Sequence, residues 1–388
     1  MVIGIFHVTH TRLAIVSTDT PTTKAIVANM TDIDIEPTLP TTTSENQDAA
    51  VVRSNKRRIT SVATTSISTT TTYTSPVPTT TLSTLKTMAW IYPGNPACNA
   101  STEYADGRKI DVLKAEFFTI NGGLLTLLTT TNSFCNGYSA ANISRLKQYS
   151  TEQYATISSG STNDMDTFLV QALGSASNDI TTLVDFTVTN NITGIELDFE
   201  DFGGWSATSY ANYKKFVTVL GNALRAKGKK LMLDGPAVSN ASEENWFLWR
   251  YSDFTVLPVD TIVVMAYDYQ YDNGVGSPVT PFDWLKNVIL WTSGRYPKER
   301  IAIGLPSYGY QGTAGTYRSV ILNADQIKTK AGYTTALRDS SSGEMTWTSG
   351  STVYFYQDAQ SLNMKRDVVA SLGITSVSVW HLGGNPWF

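Results

Sequence analysis

The chain has 388 residues, 41% hydrophobic and 16% charged, with a formal net charge of −4. That length holds one large domain or two medium ones with a sizeable core, and the mildly acidic balance gives no electrostatic case for nucleic acid or an anionic membrane. Two cysteines and three histidines, with no His/Cys/carboxylate cluster at ligand spacing, exclude a disulfide-dense scaffold and argue against a zinc centre.

No metal or cofactor is expected. No run of about 18 apolar residues occurs, so no membrane-spanning helix is expected. The 9 Trp and 19 Tyr suit either stacking on sugar rings or filling a core.

From the N-terminus, Met1 to Val16 is mildly apolar but broken by His7, Thr9, His10, Thr11 and Arg12, which makes a poor signal peptide. Residues 1–87 read as a Thr/Ser-rich low-complexity tail or linker with one basic cluster, Arg53 to Arg58. Such a segment buries too little apolar surface to offset the entropy of ordering. Ser/Thr with Pro fits either a glycosylated stalk or an unmodified disordered tail.

Residues 88–388 read as the folded domain. Strands are expected at 88–92, 115–120, 154–158, 192–200, 230–235, 261–269, 300–306 and 374–382, with helices at 163–173, 209–227, 243–251 and 282–292. Near-continuous apolar runs such as Thr261 to Ala266 suit parallel strands covered on both faces. The fold class is α/β, a (β/α)8 TIM barrel. The competing doubly wound sheet usually shows a Gly-rich phosphate turn after its first strand, and Pro93-Gly94-Asn95-Pro96 is no such turn.

The fourth strand carries Gly194-Ile195-Glu196-Leu197-Asp198-Phe199-Glu200. At period two, three apolar residues face one way and three acids the other. Two readings fit: a buried strand with its acids at a cavity, or a solvated acidic edge. In a barrel, chemistry sits at the C-terminal ends of strands. Glu200, Tyr267–Asp268, Ser307–Tyr308 and Trp380 all fall there, which favours a site. Acids so close cannot all ionise cheaply, so one is expected to hold a proton near neutrality and serve as a general acid.

Cys98 follows the first strand and Cys135 the second, so neighbouring loops could join them in a disulfide. N-x-S/T sequons at Asn29, Asn99, Asn142, Asn191 and Asn240 lean, with the Thr-rich tail, toward an extracellular or cell-surface protein. A monomer is expected.

These segments carry a resemblance. Thr193 to Glu200 resembles the D-G-x-D-x-D-x-E signature of family 18 glycoside hydrolases, the chitinase family. Met265-Ala266-Tyr267-Asp268 resembles the family's M-x-Y-D, and Gly304 to Gly309 its G-L-P-x-Y-G. Val377 to Trp380 resembles its last strand. Thr193 and Glu196 depart from the pattern, each standing where the family has Asp. Ser158-Ser159-Gly160-Ser161 matches the family's S-x-G-G only loosely. The chain stops soon after Trp380, without room for a full last helix.

The resemblance implies cleavage of β-linked glycans containing N-acetylglucosamine by substrate-assisted retaining catalysis. It implies that Glu200 is the acid, that Asp198 orients the substrate's acetamido group, and that Tyr267 hydrogen-bonds it. Glu196 would share a proton with Asp198. Met265, Asp268, Tyr308 and Trp380, with Glu196, would complete the sugar site, Trp380 as its floor. Family members often carry an insertion between strands seven and eight. Residues 310–373 leave room for a small one at most, with a strand at 352–356 and a helix at 361–371, which suggests an open cleft suited to endo-cleavage. One alternative is a catalytically weak or silent chitinase-like sugar-binding protein. Another is a Mg²⁺-dependent barrel enzyme, for which acids two apart on one strand make an awkward ligand set.

Overall fold

The computed structural model describes residues 85–91 and 109–388. The expected tail up to residue 84, Cys98 and the sequons at Asn29 and Asn99 lie outside the described residues, while Lys86 and Thr87, expected to end the tail, begin the first strand.

Eight parallel strands close into a barrel. They are β1 (Lys86–Ile91), β2 (Ile110–Asn121), β4 (Ser150–Ser159), β5 (Gly194–Phe199), β6 (Lys230–Pro236), β7 (Thr261–Met265), β8 (Ile301–Pro306) and β14 (Ser376–Leu382). The order around the ring is β1-β14-β8-β7-β6-β5-β4-β2, and a β1–β2 pairing closes it. β3 (Leu124–Leu127) folds back antiparallel on β2. All eight expected strands are present.

Connecting helices are α1 (Ala140–Tyr149), α2 (Thr162–Ala172), α3 (Asp179–Thr189), α4 (Ala207–Arg225), α5 (Ala241–Trp246), α6 (Tyr269–Asn273) and α7 (Phe282–Ser293). The sequence reading had no helix for α1 or α3. The β-branched residues of α3 favour a strand locally, but burying Leu183, Val184 and Thr187 on one helical face decides the matter. α4 starts at a reciprocal Ser206/Ser209 capping box. It buries Tyr213, Phe216, Val217, Leu220 and Leu224 at helical spacing against α2, α3 and β6. The helix expected over 243–251 ends at Trp246, because Leu248 turns to φ 51°. The strand expected over 261–269 ends at Met265, because Asp268 takes a left-handed φ of 69° and begins α6.

Between β8 and β14 lies a five-stranded antiparallel sheet in the order β10-β9-β13-β12-β11. Its strands are β9 (Gly309–Thr313), β10 (Ser319–Leu322), β11 (Leu337–Arg338), β12 (Met345–Ser349) and β13 (Thr352–Tyr356). α8 (Ala324–Lys328) sits inside this segment, and α9 (Ala359–Ser371) returns the chain to the barrel. The expected strand at 352–356 is thus one of five. The other four are only two to five residues long, and their pairing with one another specifies them.

The main core lies between strands and helices. Ile195, Leu197 and Phe199 of β5 point into it and are at most 1% exposed; burying such a side chain contributes about 1.5–3 kcal/mol. A second cluster of Met88, Trp90, Val112, Tyr154, Met232, Val263 and Ala302 fills the barrel interior. Tyr267 and Trp380 rest on it. Gly194 opens β5 because a Cβ there would lie 2.1 Å from the Lys230 carbonyl oxygen. Thr193, where the resemblance calls for Asp, caps the far end of the strand: its hydroxyl accepts the Gln153 N–H at 3.1 Å. Its replacement therefore leaves the mouth of the barrel untouched.

Asn142 is fully buried and its amide donates to the carbonyls of Asn136 and Gly137. It is no glycan acceptor in the folded chain. Asn191 and Asn240 are exposed. Among the described residues, no helix is long and apolar enough to cross a membrane.

Candidate active site

β5 is an interior strand, paired with β4 on one side and β6 on the other. The acids therefore face the barrel interior, and the solvated-edge reading is excluded.

Glu196 is 0% exposed. Its Oε1 lies 2.6 Å from Nζ of Lys114 on β2, and its Oε2 accepts the Thr156 hydroxyl at 2.5 Å. Lys114 is equally buried, with its ammonium 3.1 Å from the centroid of the Trp90 ring. Glu196 was expected to touch substrate and share a proton with Asp198. In the fold it is buried against Lys114 and Thr156, and its charge still acts on Asp198. The extra methylene relative to Asp is used to reach across the barrel.

Asp198 is half-buried beside Ser158 of β4 in the strand register. Burial, then the negative charges of Glu200, Glu196 and Glu116, push its carboxyl well above the ordinary aspartate range, while Lys114 pulls the other way. Glu200, one step past the end of β5, is exposed. Its backbone is held on both sides: its N–H donates to the Ser159 carbonyl at 3.0 Å, and its carbonyl accepts the Trp205 indole N–H at 3.0 Å. Glu116 of β2 accepts the Ser158 hydroxyl.

Asp234, at the C-terminal end of β6, is 1% exposed. Burial and the charge of Glu196 push its carboxyl well above the ordinary range.

Opposite the acids stands an aromatic group. Tyr267, just after β7, meets Trp380 of β14 in a stacked pair at 6.3 Å, Tyr308 edge-on at 6.3 Å and Trp90 edge-on at 6.5 Å. Tyr308 meets Trp380 edge-on at 5.1 Å. Burial, and then the charges of Asp234, Asp198, Glu200 and Asp268, hold the Tyr267 phenol protonated far above its usual range. It is a hydrogen-bond donor at any working pH. Met265, half-buried at the end of β7, pairs with Pro236 and Gly304 across the sheet and packs against the main core.

Tyr308 is 1% exposed and donates its hydroxyl to Oδ1 of Asp268, which also accepts from Gln270 at 3.2 Å. Tyr308, expected at the sugar site, is tied to Asp268 through this hydroxyl. Glu200, Asp198 and Asp268 all act on Tyr267, and Trp380 stacks on it.

Cys135 is disulfide-bonded. Among the described residues, no group of three His, Cys, Asp or Glu side chains is placed to hold a metal ion.

The sequence reading missed Lys114, Thr156, Glu116 and Asp234. A signal existed for three of them. Val112, Lys114 and Glu116 alternate within an apolar strand, and Asp234 is the one acid at the end of Leu231-Met232-Leu233. A charged residue inside such a run belongs to a barrel interior if it has a partner, and the partner lies on another strand.

The family model for glycosyl hydrolases family 18 matches residues 89–385. An uncharacterized glycosylase of Bacillus subtilis (strain 168), YvbX, is 25% identical over 202 residues, covering 49% of this chain and 57% of that protein. The chain spans about half the length of the curated relatives it matches. The structure of a chitinase from Chromobacterium violaceum superposes with a TM-score of 0.64 at 22% identity, covering 78% of this chain and 95% of that one. The Bacillus cereus spore cortex-lytic enzyme SleL gives 0.64 at 16% identity, covering 78% and 72%. At these identities the solved structures speak for the fold.

Proposed function

The chain belongs to glycosyl hydrolases family 18, and from that premise we propose that it is a retaining glycosidase that cleaves β-linked glycans at an N-acetylglucosamine residue. The observation that carries the reading is the pair Asp198 and Glu200 on one strand, one half-buried with a raised pKa and the other at the open mouth, facing Tyr267 and Trp380.

The proposed reaction follows from that geometry. Carboxyls this close cannot both ionise cheaply, so the pair retains a proton near neutrality. Glu200 delivers it to the glycosidic oxygen as the bond to the leaving sugar breaks. The electron pair for C1 comes from the substrate's own acetamido carbonyl, which forms a cyclic oxazolinium ion, so no protein nucleophile is needed. Asp198 accepts the acetamido N–H and offsets the developing positive charge, while the Tyr267 hydroxyl donates to the acetamido oxygen. Glu200, now ionised, takes a proton from water as that water opens the ring from the same face. Trp380 provides the apolar floor, and Asp268, fixed by Tyr308, holds the distorted sugar.

The direct test is hydrolysis of a fluorogenic chito-oligosaccharide by wild type and Glu200→Gln. The expected loss is about 10²–10⁴-fold. Equal signal from the two proteins would refute the assignment of Glu200. No signal from either, with sugar binding retained, would make the chain a carbohydrate-binding protein on this barrel.

A further inference from the structure

Asp234 plays no part in the reaction as written above, yet it is buried in the same interior as the acids. Neither of its oxygens accepts a hydrogen bond from a donor among the described residues. Glu196 pairs in register with Met232, whose side chain fills the barrel interior. Asp234, two residues further along β6 on the same inner face, therefore lies diagonally beside the Glu196 carboxyl, and burial and then that charge raise its pKa. Two carboxyls bond to each other only through a proton. Glu196 already takes the Lys114 ammonium on one oxygen and the Thr156 hydroxyl on the other, whereas Asp234 has no donor of its own. The proton between them therefore resides on Asp234.

We propose that Asp234 is a positioning residue: a neutral carboxyl that donates its proton to Glu196, pins Glu196 against Lys114, and so leaves Asp198 to pair with Glu200 alone. The charges then balance within the barrel. One ammonium faces one carboxylate, and the proton that Asp198 shares is passed outward to Glu200 and not inward to Glu196.

The groups facing Asp234 are Glu196 and Asp198 from β5, Lys114 from β2, the Tyr213 hydroxyl from α4, Tyr251 from the turn after α5, and Tyr267 after β7. The three tyrosines are themselves held protonated by burial. Loss of the Asp234 proton would place a second negative charge next to Glu196 and Asp198. That event sets an upper pH limit on the ordered site.

The proposal rests on the glycosidase reading for its kinetic consequence, but its structural core can be tested without turnover. Asp234→Asn keeps a donor toward Glu196 and removes the titration; Asp234→Ala removes both. A raised pKa in the fold means that the folded state holds the proton more tightly than the unfolded one. Stability from this group is full below the unfolded value of about 3.9 and is lost as pH rises through the folded value. The melting temperature of Asp234→Asn minus that of wild type should therefore grow as pH rises from about 4 through neutrality. A difference that shrinks over that range would mean an ionised Asp234 and would overturn the proposal. In kinetics, Asp234→Asn should keep kcat/KM within about threefold at neutral pH and move the alkaline limb upward, while Asp234→Ala should lose about tenfold, mainly in kcat. Unmoved alkaline limbs in both variants would also overturn it. Absence of activity in wild type, with the melting trend present, would sink the glycosidase reading and leave the proton on Asp234.

Discussion

Lys114 and Glu196 form an ion pair at 2.6 Å with neither side chain exposed to water. Such a pair adds little net stability over an apolar replacement, but breaking it strands a charge, at a cost of about 3–5 kcal/mol. Lys114→Met should therefore destabilise the barrel strongly, and adding Glu196→Gln should recover much of the loss. A double-mutant cycle in denaturant reads the coupling. Additive effects would show that the pair is not a unit.

Tyr308→Phe removes the hydroxyl that braces Asp268 but keeps the ring against Trp380. Stability should change by only about 1 kcal/mol, while kcat/KM on a chito-oligosaccharide should fall about tenfold as Asp268 loosens. Asp268 keeps the weaker contact from Gln270, so the loss should be partial. Steady-state kinetics beside a melting curve would separate the two effects.

His381 follows Trp380 and is 5% exposed, its Nδ1 2.8 Å from the Leu382 carbonyl oxygen. Burial lowers its pKa to about 4. The unfolded chain takes up this proton near pH 6.5, but the folded chain resists until about 4. Stability from the buried neutral ring is thus full above about 6.5 and is lost as pH falls toward 4, on the order of 3 kcal/mol in all. Unfolding free energies between pH 7 and 4 should show this slope in wild type and a flatter one in His381→Gln.

Gly194→Ala would bring a methyl to 2.1 Å from the Lys230 carbonyl oxygen, a backbone atom that cannot turn away. The substitution should separate β5 from β6 and cost more than the about 1–3 kcal/mol usual for overpacking. Circular dichroism melting would register it. A wild-type melting point would mean that the strands can spread there.

Much of the barrel was legible because its signals are local. Apolar runs of strand length mark the eight strands, and Ile195, Leu197 and Phe199 alternate with the acids so plainly that the inner face of β5 could be read directly. Position at strand ends then gathered Glu200, Tyr267 and Trp380. What stayed hidden depends on contacts between distant segments. The partner of Glu196 was hidden because nothing near it in the chain announces Lys114, 82 positions earlier. The bond from Tyr308 to Asp268, 40 positions earlier, was likewise invisible in the motif. The helix α3 was concealed by β-branched residues whose intrinsic preference is overruled by packing. Four strands of the insertion are too short, at two to five residues, to stand out from loops in the sequence.

The insertion sheet begins at Gly309, directly after Tyr308, and its residues Tyr310 and Phe355 cluster with Tyr308, Tyr267 and Trp380. β5, which bears the acids, is separated from β8 by β6 and β7 and pairs with no strand of the insertion. On the proposed reading, the acids and the aromatic seat for the sugar are therefore mounted on different parts of the ring. A drift in the insertion would reshape the seat of the sugar while leaving the acids where they are. Changes of diet can come from one half of this barrel, and changes of speed from the other.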